Sequence, residues 1–253
     1  MIRLLKNEHM KILFKKSTWT LAISLTVICF IMAIFMKKML SSAGVGENVY
    51  GYLSFTTGFL GVLPFFAAAV SGAIVSSEFE RGTIKFLLIR RASRSKILTA
   101  KYLTAVLFSL YFLFLYFLLS MLLGLLLFGP STESGDALFQ SALRSYADGL
   151  VESIMIVTFA FMLSAVFRST ALAVGLTFIV TLAAKSSISV LAYSGAEWGK
   201  YLLFANTNFS QYAENAQPVF DGMSPGFSAA VLIFHLASFL VLAWGVFVKR
   251  DVA

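Results

Sequence analysis

A single cysteine, Cys29, stands in this 253-residue chain, which excludes a disulfide framework and a cysteine-built metal cluster. Histidine is nearly as scarce. His9 and His235 are far apart and have no companions at ligand spacing, so His235 reads as a hydrogen-bonded residue inside a helix bundle. Charge is short too, at 13% of residues against about a quarter in ordinary soluble domains. The charges present are clustered instead of spread along helical faces, so they cannot clothe a soluble globule of this size. Catalytic motifs are missing as well. Gly195 to Lys200 superficially resembles a phosphate loop, but it is one residue short and Tyr201 follows where Ser or Thr is needed. Asn208-Phe209-Ser210 fits a glycosylation acceptor, a short pattern that recurs by chance.

What remains is apolar: 59% of the residues are hydrophobic. Six runs are long enough to cross a hydrocarbon layer of about 30 Å, which takes about 20 helical residues. They cover 19–36, 53–76, 102–128, 149–167, 171–193 and 227–248, with Pro64 and Gly72 tolerable because neighbouring helices satisfy the freed backbone groups. The expectation is an all-α polytopic membrane protein, with 1–253 forming a single six-helix transmembrane domain.

The basic residues orient it. Five precede the first run, seven lie between the second and third, and Arg168, Lys249 and Arg250 complete one side, while the other has Lys37, Lys38, Arg144 and Lys200. Glu47, Glu133, Asp136, Asp148, Glu197, Glu214 and Asp221 show the reverse skew. The basic side is therefore expected to be cytoplasmic, with both termini on it. Ser41-Ser42-Ala43 is only faintly like a cleavage site, and losing the first run would put charges on the wrong side, so that run is expected to stay.

Within the leader, 1–18, residues 2–16 read as an amphipathic helix: Ile2, Leu5, Ile12 and Leu13 share a face opposite Arg3, Lys6, Lys11 and Lys15. Such a helix lies in the headgroup layer, attracted to anionic lipid; the plainer reading is a basic flank that only sets topology. Residues 37–52, with Gly44, Gly46 and Gly51, read as an irregular outer loop, and 129–148 as an acidic one opening on Gly129-Pro130. Arg168-Ser169-Thr170 is so short that the fourth and fifth runs must form an antiparallel hairpin. The outer loop 194–226 is rich in aromatics such as Trp198, Tyr201 and Phe220, which suits short helices at the outer interface or a packed loop.

The segment 77–101 is the most informative part of the chain. Glu78 and Glu80 end the second run and Arg81-Gly82-Thr83 follows. Gly82 permits a sharp turn, and Thr83 can cap a short amphipathic helix with Ile84, Phe86, Leu87 and Leu88 that ends near Arg90-Arg91. Carboxylates in so basic a region call for a partner surface, or for internal pairing with Arg81 or Lys85. The alternative is a solvated loop whose arginines enforce topology.

The run Glu78-Phe79-Glu80-Arg81-Gly82-Thr83-Ile84-Lys85-Phe86-Leu87-Leu88, with Ser93-Arg94 and Lys101 beyond it, closely resembles the membrane subunits of type-2 ABC exporters. The basic leader, six runs, inside termini and large last outer loop are similar throughout the chain, but only this segment is motif-specific. Arg90-Arg91 departs from the neutral or Pro-containing turn that the family pattern suggests. The resemblance implies a coupling helix seated in a separate ABC ATPase subunit, with Glu78, Arg81, Gly82 and Thr83 as the positions carried over, and Glu80 and Lys85 beside them in the coupling segment. It further implies a second permease copy or a homologous one and a bacterial plasma-membrane location. The exported cargo would be hydrophobic or amphipathic, such as a peptide antibiotic. The chain would hold no cofactor, ATP being bound by the partner, and membrane lipids but no nucleic acid would be its other contacts. It would be a permease and not an enzyme.

Two further features come from the residues alone. Glu152 and Lys185 are the charges set deep in the runs, and the turn at Arg168-Ser169 places both about 25 Å above it, at matched depth on the two arms. They pair across the hairpin, or snorkel separately to the outer interface. Ala68, Gly72 and Ser76, four apart, form a seam where another backbone can approach closely. The 26 phenylalanines are expected to face lipid for the most part. An ion-coupled secondary transporter working through Glu152 and Lys185, or a membrane sensor that moves nothing, are the competing functions.

Overall fold

The computed structural model describes residues 1–44, 48–85, 92–130, 135–213 and 216–249, and no strand occurs among them. The all-α expectation holds, and six helices are long and apolar enough to cross a membrane. The leader is α1 (Ile2–Leu13), and after a break at Phe14-Lys15 the first span is α2 (Lys16–Ala43). Then come α3 (Val49–Thr57), α4 (Leu63–Ala73), α5 (Ser76–Glu80), α6 (Arg94–Phe128), α7 (Gly135–Phe167), α8 (Thr170–Tyr193) and α9 (Pro225–Lys249).

Three sequence expectations change. The described parts of 37–52 are mostly helical: α2 runs on to Ala43 and closes with Gly44 in the left-handed region at φ 67°, and Asn48 caps α3 by accepting from Tyr50 N–H and Gly51 N–H. The second span is not one helix from 53 to 76. It is broken after Thr57, passes through a 3-10 turn at Leu60–Val62, and restarts with Pro64 in the first turn of α4, where its missing N–H costs nothing. The crossing is therefore Leu60–Glu80, and α3 is a separate helix. Finally, much of 129–148 is helical, because α7 begins at Gly135. The third span also starts early, at Arg94, with the Ser93 hydroxyl accepting from Lys96 N–H.

Burial separates core spans from peripheral ones. The second and fourth spans are each 61% buried, the sixth only 17%. On α2, Ile23, Val27, Phe30, Ile31, Ile34 and Phe35 stay exposed, a stripe that only hydrocarbon satisfies. The phenylalanines divide in a way composition could not reveal: seven are exposed, whereas Phe108, Phe112, Phe161, Phe220 and Phe247 are buried in the packing.

The small-residue seam joins α4 to two partners. Ala68 packs with Ile156 and Ala160 of α7, and the Ser71 hydroxyl donates to Val157 O at 2.7 Å. Gly72 faces α8, where an added Cβ would come within 2.8 Å of Val174 Cγ2 and 3.3 Å of its backbone N. Ser76 Oγ lies 2.8 Å from Thr170 Oγ1.

The far end is closed by an ordered loop with three 3-10 turns, Glu197–Tyr201, Leu203–Ala205 and Phe209–Tyr212. Asp148 of α7 accepts from Phe209 N–H at 2.8 Å and Ser210 N–H at 3.1 Å. Asn206 donates to Lys200 O and Leu202 O, both at 2.8 Å, and accepts from the Ser228 hydroxyl at 2.7 Å. The Phe220 ring fills the space beside Gly199, so that glycine serves packing and not phosphate binding. Ala205, Phe220 and Met223 of the loop form a small separate core with Ile188 of α8.

Enlarging Gly72 tests the seam. Gly72→Leu should cost about 1–3 kcal/mol by overpacking, seen as a lower melting temperature of the detergent-purified protein. Gly175→Leu, at a glycine on α8 with no atom within 4 Å of its Cβ position, should leave it near wild type.

Candidate functional site

The site begins with a break in a helix. Between α4 and α5 the regular ladder fails at Ile74-Val75, and a membrane interior demands that the released groups find partners. The Ser164 hydroxyl of α7 accepts from Val75 N–H at 3.3 Å and from Ser76 N–H at 2.9 Å. The Ile74 carbonyl accepts from Lys101 Nζ at 3.0 Å.

Lys101 is 1% exposed, seven residues into α6. Besides Ile74 O, its ammonium donates to Glu8 Oε2 at 2.7 Å and to Glu78 Oε1 at 3.3 Å. An ammonium has three protons, and all three are used. Lys11 completes a square of charge, 3.1 Å from Glu8 Oε1 and 3.0 Å from Glu78 Oε1. Thr83 Oγ1 donates to Glu78 Oε2, and lies 3.4 Å from the Glu78 carbonyl. Burial lowers the pKa of Lys11, but its hydrogen bond to Glu78 and the charges of Glu8 and Glu78 outweigh this and hold it above the ordinary lysine value. Its contribution is therefore complete below the unfolded lysine pKa, and is lost only as pH rises through the higher folded one.

Glu80, two residues on, faces the opposite way. Its carboxylate accepts from Thr170 N–H at 2.6 Å and from Thr170 Oγ1 at 2.8 Å, which caps the first turn of α8. A carboxylate there also meets the positive end of the helix dipole. The hairpin turn itself has Arg168 at φ 55°, with its guanidinium 4.4 Å over the Phe79 ring. The elbow thus grips three bodies: the leader through Glu78, the third span through Glu78, and the fourth–fifth hairpin through Glu80.

The coupling residues expected from sequence divide accordingly. Glu78, Glu80 and Thr83 are engaged internally; of the two alternatives the sequence offered, internal pairing holds, but the bonded partners are Lys101, Lys11 and Thr170, with Arg81 acting on Glu80 only through its charge. Arg81, Gly82 and Lys85 are exposed, and Gly82 has φ 67°, a conformation that favours glycine. The helix expected to contain Phe86, Leu87 and Leu88, and the pair Arg90-Arg91, lie outside the described residues, and Thr83 spends its hydroxyl on Glu78.

Sequence reasoning passed over Glu8, the sole acid in the leader, which is 4% exposed and buries that face together with Ile12. Ile2 and Leu13, expected on the apolar face, are exposed. The signal was available: an acidic residue on the apolar side of a basic helix needs a cation, and Lys101 is the basic residue set furthest into the third span.

Beyond the leader, a cavity of about 530 Å³ opens between α1, the start of α2 and the elbow, and the charged square forms one wall of it. At the other end of the bundle, Glu152 and Lys185 are joined as an ion pair across the hairpin, and Lys185 Nζ reaches over Gly61, 3.3 Å from where a Cβ would stand. His235 donates from Nδ1 to Val231 O at 2.9 Å.

Comparison with known sequences adds the following. A family model described as "Protein of unknown function (DUF2705)" matches residues 39–253. An "Uncharacterized membrane protein YdbK" of Bacillus subtilis (strain 168) is 38% identical over 244 residues, covering 96% of this chain and 99% of the relative. An "Uncharacterized protein YhcI" of the same organism is 37% identical over 222 residues, 82% of this chain and 70% of the relative. The chain is a multi-pass membrane protein by its six apolar helices and by its likeness to the first of these.

Lys101→Met should destabilise by about 3–5 kcal/mol, because it strips buried carboxylates of their cation. The double variant Glu8→Gln/Lys101→Met should recover part of that loss in the same thermal melt; a double variant as unstable as the single one would deny the coupling. In the outer pair, Glu152→Gln and Lys185→Gln should each lower folded yield, and the exchange Glu152→Lys/Lys185→Glu should restore some. Unchanged yield in both single variants would show that the pair carries nothing.

Proposed function

The chain belongs to the DUF2705 family of proteins of unknown function, and we propose that it is the transmembrane subunit of an ATP-driven exporter whose ATPase is a separate soluble chain. Two copies, or one copy and a sibling permease, enclose the path, and each receives force from its own ATPase at the elbow. The permease holds no nucleotide site of its own. Its cargo is hydrophobic or amphipathic, as the resemblance to type-2 exporters implies, and its place is the bacterial cell membrane.

One observation carries this reading: the elbow is wired. A loop that served only to carry positive charge would not need Glu78 and Glu80 to reach in opposite directions, into the leader and third span on one side and the hairpin on the other. Wired in this way, the elbow turns a push on its exposed residues, Arg81, Gly82 and Lys85, into a displacement of all three bodies. Its residues are also those that resemble the coupling segment of type-2 exporters.

The outer ion pair supports a second reading, an ion-coupled transporter, because Glu152 and Lys185 lie where a coupling ion could be handled. Without an ATPase, that machine would not need the elbow.

The test is co-purification. The tagged chain, co-expressed with a soluble Walker-type ATPase from a neighbouring gene, should retain that subunit through affinity and size-exclusion steps, and the lack of any such gene or complex would count against the reading. Gly82→Val/Lys85→Glu should release it while the permease still elutes as a folded peak, and Glu152→Gln should not. A complex indifferent to the elbow variant, or transport driven by a proton gradient without ATP, would defeat the exporter reading.

A further inference from the structure

The cavity behind the leader has a composition that neither the fold nor the proposed coupling requires. Its wall carries four cations, Lys11, Lys15, Lys101 and Arg81, against two carboxylates, Glu8 and Glu78. Lys101 and Lys11 are committed to those carboxylates at 2.7–3.3 Å, so the square neutralises itself. Lys15 and Arg81 take no part in the square; both are exposed at the cavity and neither lies within ion-pair distance of a carboxylate among the described residues, Arg81 acting on Glu80 only through its charge. The excess of two positive charges faces an open space of about 530 Å³, within the range of small-ligand sites.

Hydroxyl donors lie among them. Ser17 and Ser77 line the same cavity, and neither hydroxyl has a hydrogen-bond partner among the described residues, in contrast with Thr18, which donates to Ile12 O at 2.7 Å. Toward the second span the lining turns apolar at Val70 and Ala73, and Phe14 at the leader's end stands beside Lys15. Phe14 is 77% exposed and Trp19, one turn into α2, is 62% exposed. Exposed aromatics at the ends of membrane helices sit at the headgroup level. The cavity thus presents cations and hydroxyls at headgroup depth, beside an apolar lining on the second span.

We infer that this cavity binds the phosphate of an anionic phospholipid, held by Lys15 and Arg81 with its acyl chains running over Val70 and Phe14. Arginine meets a phosphate through paired N–H donors and lysine as a point charge, and together they match its diffuse negative charge. The bound lipid would bridge the leader to the elbow on the side that the square leaves open. This site does not depend on the exporter reading, since it requires only a membrane with anionic lipid.

The experiment is native mass spectrometry of the detergent-purified chain titrated with short-chain phosphatidylglycerol, with phosphatidylcholine of equal chain length, and with inorganic phosphate. One phosphatidylglycerol should bind per chain, saturably and at least tenfold more tightly than phosphatidylcholine. Lys15→Gln/Arg81→Gln should weaken that binding about 25-fold, at roughly fivefold per cation near a membrane surface. Lys96→Gln/Lys249→Gln, which removes equal charge from exposed positions outside the cavity at the same end, should weaken it far less. Equal loss in both double variants, or equal affinity for the two lipids, would overturn the site. Inorganic phosphate binding as tightly as phosphatidylglycerol would overturn the lipid as its source and leave a soluble phosphate ligand. Lipid binding untouched in Lys15→Gln/Arg81→Gln, together with loss of a co-purifying ATPase from that variant, would assign these cations to the protein partner instead.

Discussion

The structure depends on one ammonium group. Lys101 lies out of water among acceptors that match its three protons: a carboxylate of the leader, a carboxylate of the elbow, and the carbonyl freed where the second span breaks. None of these is stable without the others. The broken carbonyl in an apolar setting needs a donor, and a buried ammonium needs counter-charge. The two carboxylates, close together, need more positive charge than Lys101 alone provides, which Lys11 supplies. The break is therefore not a defect in the span but the feature that recruits the elbow. Ser164 performs the complementary task on the amide side, so both ends of the interrupted ladder are tied to neighbouring spans.

Arranged around that ammonium, the basic end becomes one mechanical unit and the opposite end another. At the basic end, the leader, the third span and the hairpin converge on five residues, Ser76 to Glu80, with Ser95 and Trp244 adding a contact at 3.1 Å between the third and sixth spans. At the far end, Asp148 and Asn206 fix the loop over the bundle through backbone groups, an arrangement built for order and not for a free linker. Between the two ends lies the seam of Ala68, Gly72 and Ser76, where backbones come close enough for the second span to be held against both arms of the hairpin.

Much of this was legible before the structure, and the limits were physical. Six apolar runs announce themselves because hydrocarbon tolerates little else, and the three-residue turn at Arg168 forces a hairpin. The matched depths of Glu152 and Lys185 followed from helix rise alone. The break after Thr57 was hidden because mean apolarity does not register a lost hydrogen bond, and Gly58, Gly61 and Pro64 are each tolerated inside spans. The early start of α7 was passed over for the opposite reason: Leu138, Phe139, Ala142, Leu143 and Tyr146 recur at helical spacing, but Asp136, Gln140, Arg144 and Asp148 among them hold the stretch below the apolarity of a membrane run. Glu8 was missed because its partner is 93 residues away, and no local rule connects the two. Glu80 was placed at the elbow correctly, but its target is a helix terminus, and a backbone N–H leaves no trace in composition.

That separation of 93 residues has a consequence for how the chain is made. At about 5–20 residues per second, the leader leaves the ribosome roughly 5–20 s before Lys101 exists to receive Glu8. During that interval two spans must enter the bilayer while Glu8, on the inward side of the first helix, has only its helix neighbour Lys11 as a cation. The beginning of the polypeptide is thus among the last pieces to settle, and assembly of the basic end is timed by the arrival of the third span.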